Sequence, residues 1–190
     1  IIVNNIKPFS GAKARVLKTD LYYERVQKDF RPIERLRNVE FNRDWGLPFN
    51  ATPADENIFS ASIGLMDKAN HTVKYIFSGY VRSDNYKAFR NSIIHQGDMR
   101  GWKFSNQFNY TSINDSKQSG FFIRPVIDIN KQLNKFGNYQ LGMIYFLEHN
   151  ELKYKLYDSL NLTSFSFDTW QAYFKSPDNL PNKWGISYFT

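Results

Sequence analysis

The chain has 190 residues, 42% of them hydrophobic, with a formal net charge of +7 and a sequence pI near 9.5. That length suffices for a domain with a real core, and the complete lack of cysteine excludes a disulfide framework, thiolate metal sites and a cysteine nucleophile. The basic balance does not read as a nucleic-acid surface: in its densest part, Lys13 to Arg43, the acids Asp20, Glu24, Asp29, Glu34 and Glu40 are threaded among the cations, so no single-sign stripe forms.

Residues 1–56 read as a lead-in, plug or boundary segment. Thr19–Val26 suits either a strand or a short helix. Pro32 bars Phe30–Arg35 from a central strand, because it removes a ladder donor. Val39 to Trp45 alternates briefly. Leu47 to Asp55 is a loop, broken by Pro48 and Pro53. The start at Ile1-Ile2-Val3 and the alternating end at Trp184–Thr190 suggest an internal piece of a longer protein.

From residue 57 to 190 apolar and polar residues alternate, which is the pattern of strands with two unlike faces. The expected strands are Asn57–Met66, Thr72–Arg82, Ala88–His95, Trp102–Thr111, Gly120–Asn130 and Tyr139–His149. Thr163–Phe174 and a segment starting at Lys183 follow them. The separators are short and turn-like, among them Ser83-Asp84-Asn85 and Gln96-Gly97-Asp98, so successive strands pair antiparallel. The predicted fold is all-β: an antiparallel up-and-down meander. Runs of about ten residues exceed the usual strand of about five or six and match a tilted strand crossing a bilayer. Part of a transmembrane β-barrel is therefore expected. A mean hydropathy of −0.55 does not oppose this, because a barrel's lumen and loops are polar.

In such a barrel Phe59, Ala61, Ile63, Leu65, Phe121, Ile123, Ile127, Leu141, Met143 and Tyr145 face lipid. Arg82, Arg90, Lys103, Arg124 and Asp128 face the lumen. Pro125 falls on the apolar face and suggests a bulge or edge. Two strands are less clean: Asn91 and His95 spoil one apolar face, and Asn106 interrupts another. Aromatic residues make up 17% of the chain, and many sit near strand ends, as Tyr86, Trp102, Tyr139, Trp170 and Trp184 do. Interfacial girdles use aromatics in this way, although a soluble β-sandwich core is aromatic-rich as well. The competing reading is thus a soluble periplasmic or cell-surface antiparallel β-domain that binds glycan or protein.

Chemistry-bearing motifs are sparse. His71, His95 and His149 lack the spacing of a metal site, and no cofactor is indicated. The best catalytic candidate is His95 with Ser92 or Asp98, and the overall expectation is a protein that is not an enzyme. Asn-x-Ser/Thr triplets begin at Asn50, Asn70, Asn109, Asn114 and Asn161, and matter only in a eukaryotic secreted chain.

Three segments, Phe30–Leu47, Phe167–Tyr173 and Asn182–Tyr188, resemble large envelope proteins of the Bacteroidota, which look like long β-strand meanders. The resemblance implies the outer membrane of a Gram-negative bacterium, with membrane lipid and other envelope proteins as partners. It brings no activity, substrate or catalytic residue.

Overall fold

The computed structural model describes residues 4–6, 16–30, 39–47, 52–67, 71–116, 118–134, 137–154, 162–177 and 182–190. Ten strands form one antiparallel sheet in strict sequence order. They are β1 (Asn4–Ile6), β2 (Val16–Val26), β3 (Glu56–Met66), β4 (Thr72–Arg82), β5 (Lys87–Met99), β6 (Trp102–Asn114), β7 (Gln118–Leu133), β8 (Tyr139–Tyr154), β9 (Leu162–Lys175) and β10 (Gly185–Phe189). A single helix among the described residues, α1 (Val39–Trp45), lies in the connection between β2 and β3. The expected all-β antiparallel meander is what forms. The sheet also takes in β2, upstream of the expected boundary at residue 56, with β2 paired to β3 from Val16↔Met66 to Val26↔Glu56.

Three local expectations are corrected. The alternation from Val39 to Trp45 is helical: Phe41 and Trp45 fall one turn apart, and their rings lie 6.3 Å from each other. Gly46 closes the helix at a φ of 67°, with Leu47 N–H donating to the Asn42 carbonyl at 2.8 Å. Gln96-Gly97-Asp98 is not a turn. β5 runs through it and reverses at Arg100–Gly101, whose φ values of 53° and 78° make the left-handed pair of a two-residue hairpin. Gly97 is there for close approach, since a Cβ would come within 2.4 Å of His71 Nδ1. Gly97→Ala is expected to cost about 1–3 kcal/mol by overpacking, and adding His71→Ala should restore most of it in urea unfolding.

Pro125 makes no bulge. β7 pairs with β8 as Ile123↔His149 on one side and Val126↔Phe146 on the other, in unchanged register. Pairing with β8 lapses only at Arg124 and Pro125, where the ring has no N–H to give. The Arg124–Glu148 ion pair at 2.9 Å spans this gap on the side-chain level. The expected loop parts 31–35, 48–51 and 178–181 lie outside the described residues.

α1 packs on one face of the sheet. Trp45 clusters with Ile58 of β3, Tyr80 of β4, Ala88 of β5, Ile113 of β6 and Phe122 of β7. Tyr80 lies 5.5 Å from the Trp45 ring, and Phe122 and Ile113 close in on Gly46 at the helix end, so one face of the sheet holds α1. We call this the inner face and the opposite one the outer face.

Candidate functional site

The register assigns every side chain to a face. Phe59, Ala61, Ile63 and Leu65 on β3 share the outer face with Phe121, Ile123 and Ile127 on β7 and with Leu141, Met143 and Tyr145 on β8. Arg82, Arg90, Lys103, Arg124 and Asp128 all fall on the inner face. The two sets named from alternation are therefore sorted without exception.

Apolar side chains stand on both faces, packed around Trp45 on the inner one and uncovered on the outer one. The outer face carries large apolar side chains that are nonetheless exposed: Ile63 is 48% exposed, Ile93 49% and Leu141 52%. Among the described residues nothing packs across them. The inner face carries the buried polar groups Arg82, Ser92, Thr111, Glu148 and Asn150. Burial of charge normally needs a partner, and the inner face supplies them.

Several of the polar residues that interrupt the outer face make hydrogen bonds. Tyr23 Oη donates to Asn57 Oδ1 at 2.9 Å, and Tyr75 Oη to Asn91 Oδ1 at 2.6 Å. His95 and Asn106 stand directly opposite each other on β5 and β6, with Asn106 Nδ2 and His95 Nδ1 3.2 Å apart. Trp170 Nε1 donates to Asp168 at 3.2 Å. Asn91, His95 and Asn106, which interrupt separate strands, thus each find a partner across strands, while the Asn106 Oδ1 is buried without one among the described residues. Sequence alternation could not reveal this, because it contains no register between strands.

On the inner face α1 is held by two arginines. Arg90 Nη1 and Arg124 Nη1 each reach the Asp44 carboxylate at 3.4 Å, one on each oxygen. Arg90 Nη2 donates to the Asp44 carbonyl at 2.5 Å, and its guanidinium lies 4.6 Å from the Trp45 ring centroid. Arg124 also binds Glu148, which accepts from Asn150 Nδ2 at 3.0 Å. Arg82 donates to the Thr52 carbonyl at 2.5 Å and pairs with Asp84 at 2.9 Å. Lys103 and Asp128, although on the same face, lie toward the other end of the strands and do not join this group; Asp128 accepts from Tyr173 Oη at 3.5 Å. Asp44 and Glu148 are the members that sequence reading missed, the first because α1 read as extended.

Tyr86, in the hairpin between β4 and β5, donates its hydroxyl to the Trp45 carbonyl. Burial pushes the pKa of this hydroxyl well above the usual phenol value. A raised folded-state pKa means the contribution is whole below about pH 10 and is lost as pH rises beyond it. Stability should therefore fall above about pH 10, and Tyr86→Phe should flatten that fall while costing about 1 kcal/mol at neutral pH. Denaturant melts from pH 8 to 11 check both.

Beside Asp44, Arg90 and Arg124 is a polar cavity of about 70 Å³. That is far below the roughly 300–1,000 Å³ of small-molecule sites. Among the described residues no group of His, Asp or Glu is arranged for a metal. The His95, Ser92 and Asp98 combination does not assemble: His95 is on the outer face, whereas Ser92 and Asp98 are on the inner one. His71 sits at Gly97, and His149 lies on the outer face with its ring 5.8 Å from that of Phe121. What the chain offers is a two-faced sheet with a helix held against one face by Arg90 and Arg124. No helix among the described residues is long and apolar enough to cross a membrane. Comparison with protein-family models, curated proteins and solved structures finds no match.

Proposed function

We propose that this chain forms part of the wall of an outer-membrane β-barrel of a Gram-negative bacterium. Its role is that of a non-catalytic component of a transport, channel or secretion assembly, with membrane lipid on its outer face and other envelope proteins as partners. The observation that carries this reading is the contrast of the two faces: large apolar side chains stand exposed on the outer face, while Arg82 and Glu148 are buried on the inner one beside the apolar cluster around Trp45. Lipid is the solvent in which that arrangement is stable. The hydrogen bonds of Asn57, Asn91 and the His95–Asn106 pair support it, because an unpaired donor in hydrocarbon costs several kcal/mol. The resemblance to Bacteroidota envelope proteins points the same way. A soluble sandwich would need a second sheet across the outer face at a spacing of about 10 Å, and the described residues include none.

The test is fractionation of the protein from cell envelopes. Retention in the outer membrane after a carbonate wash, with migration on detergent gels that changes on heating, is the expected result. Release into the soluble fraction contradicts the proposal.

A further inference from the structure

The hydrogen-bonded rows of an antiparallel sheet run perpendicular to its strands. They therefore act as a ruler laid across the outer face. One row passes through Thr19, Ile63, Tyr75, Ile93, Phe108 and Pro125, and on through Leu147 to Asp168. It is mid-belt on β3 and has left the apolar residues by β9.

A higher row, nearer α1, runs from Tyr23 and Phe59 through Phe89 and Phe121 to Glu151 and Ser164. It begins aromatic and ends polar. A lower row follows a different course. It starts beyond the ends of β3 and β4 and passes Met99, Trp102 and the charged Lys131. Lys131 is its one polar residue: Met99 and Trp102 before it and Leu141, Phe174 and Ile186 after it are all apolar. The upper edge of the apolar belt thus moves away from the α1 end from β3 to β9, and the lower edge, at Leu65 on β3 and Phe174 on β9, also lies farther from that end on β9.

We infer that the outer face contacts lipid as an oblique belt, so that the strands cross the bilayer tilted. This rests on the membrane-wall reading above and adds the geometry of the contact. The edges shift by about five residues, roughly 17 Å of strand rise, over the inter-strand steps of about 4.8 Å from β3 to β9, which is a tilt of roughly 30°. Closed barrels tilt their strands by about 35–45°.

The thickness agrees independently. Phe121 to Ile129 on β7 is about 26 Å along the strand and, at that tilt, about 23 Å along the normal, against an apolar band of about 25 Å in such walls. The charges agree as well. Asp168 and Lys131, which a belt parallel to the rows would submerge, both fall at its edges, Asp168 beside Trp170 and Lys131 with its ammonium 5.1 Å from the Trp102 ring centroid. A charge beside an indole at the rim suits the headgroup layer. Trp102, Tyr139 and Trp184 lie along the lower rim, where the Tyr139 and Trp184 rings are 5.7 Å apart.

The chain has no native cysteine, so single nitroxide labels can be placed without background. The full chain is reconstituted in phosphatidylcholine vesicles with Phe121→Cys, Ser164→Cys, Met99→Cys, Ile186→Cys or, as a mid-belt reference, Ile63→Cys. Accessibility to oxygen is compared with accessibility to a water-soluble nickel chelate. Phe121 and Ser164 share one row, and oxygen preference should drop several-fold from the first to the second. Met99 and Ile186 share another, and it should rise several-fold. Equal depth within each row overturns the oblique belt while leaving a membrane wall. Chelate access at every position, Ile63 included, overturns both.

Discussion

Ile63→Arg is expected to cost about 2–4 kcal/mol of unfolding free energy in lipid vesicles. Ile63 is in the middle of the outer belt, flanked across strands by Thr19 and Tyr75. The guanidinium would have to leave water for hydrocarbon, with no acceptor among those neighbours beyond hydroxyls. At 48% exposure on a wet surface, the same change would fall within about 0.5 kcal/mol of neutral. The two environments therefore predict effects that differ several-fold from one substitution. Thr19→Arg beside it should behave alike, and Lys87→Arg at the end of β5 should be silent. Urea unfolding from vesicles, read by tryptophan fluorescence, distinguishes them.

Arg124→Met is expected to be more damaging still, at about 3–5 kcal/mol. The Arg124 side chain is 11% exposed and holds Glu148, itself 8% exposed, together with the Asp44 end of α1. Removing the cation strands a buried carboxylate whose remaining named partner is the Asn150 amide. It also removes the bond that bridges the lapse in pairing beside Pro125. Adding Glu148→Leu should recover most of the loss, because replacing both members of a buried pair by apolar groups is often neutral. A double variant as unstable as the single one would show that packing, not charge, is what Arg124 supplies. In the same variants α1 should loosen, read as new solvent access to Trp45.

Alternation made the strands legible, because a period of two is a property of single segments. Phe59 to Leu65 and Tyr139 to Leu147 could be assigned to a face before any strand was placed beside another. What lay beyond sequence reading depends on pairs. Asn91, His95 and Asn106 looked like interruptions until the register put a tyrosine or one another opposite them. Pro125 looked like an edge, because propensity does not know that an ion pair across the gap can hold the register. Gly97 read as a turn, since glycine marks both reversals and close approaches, and only the position of His71 tells which. Phe41 and Trp45 fit a period of two and a helical turn equally well over so short a segment. The inner latch went unseen for the same reason: Asp44 meets Arg124 across 80 positions of sequence.

The most direct test of the two-faced wall uses the chain's own indoles. Trp170 is on the outer face, 42% exposed, and Trp45 is on the inner face, 6% exposed. Two variants, each retaining only one of these tryptophans with the others changed to phenylalanine, are reconstituted in vesicles containing lipids brominated on their chains. Strong quenching of Trp170 with Trp45 unaffected is the predicted result. No quenching of either, or quenching of Trp45 in preference to Trp170, would contradict the assignment of lipid to the outer face.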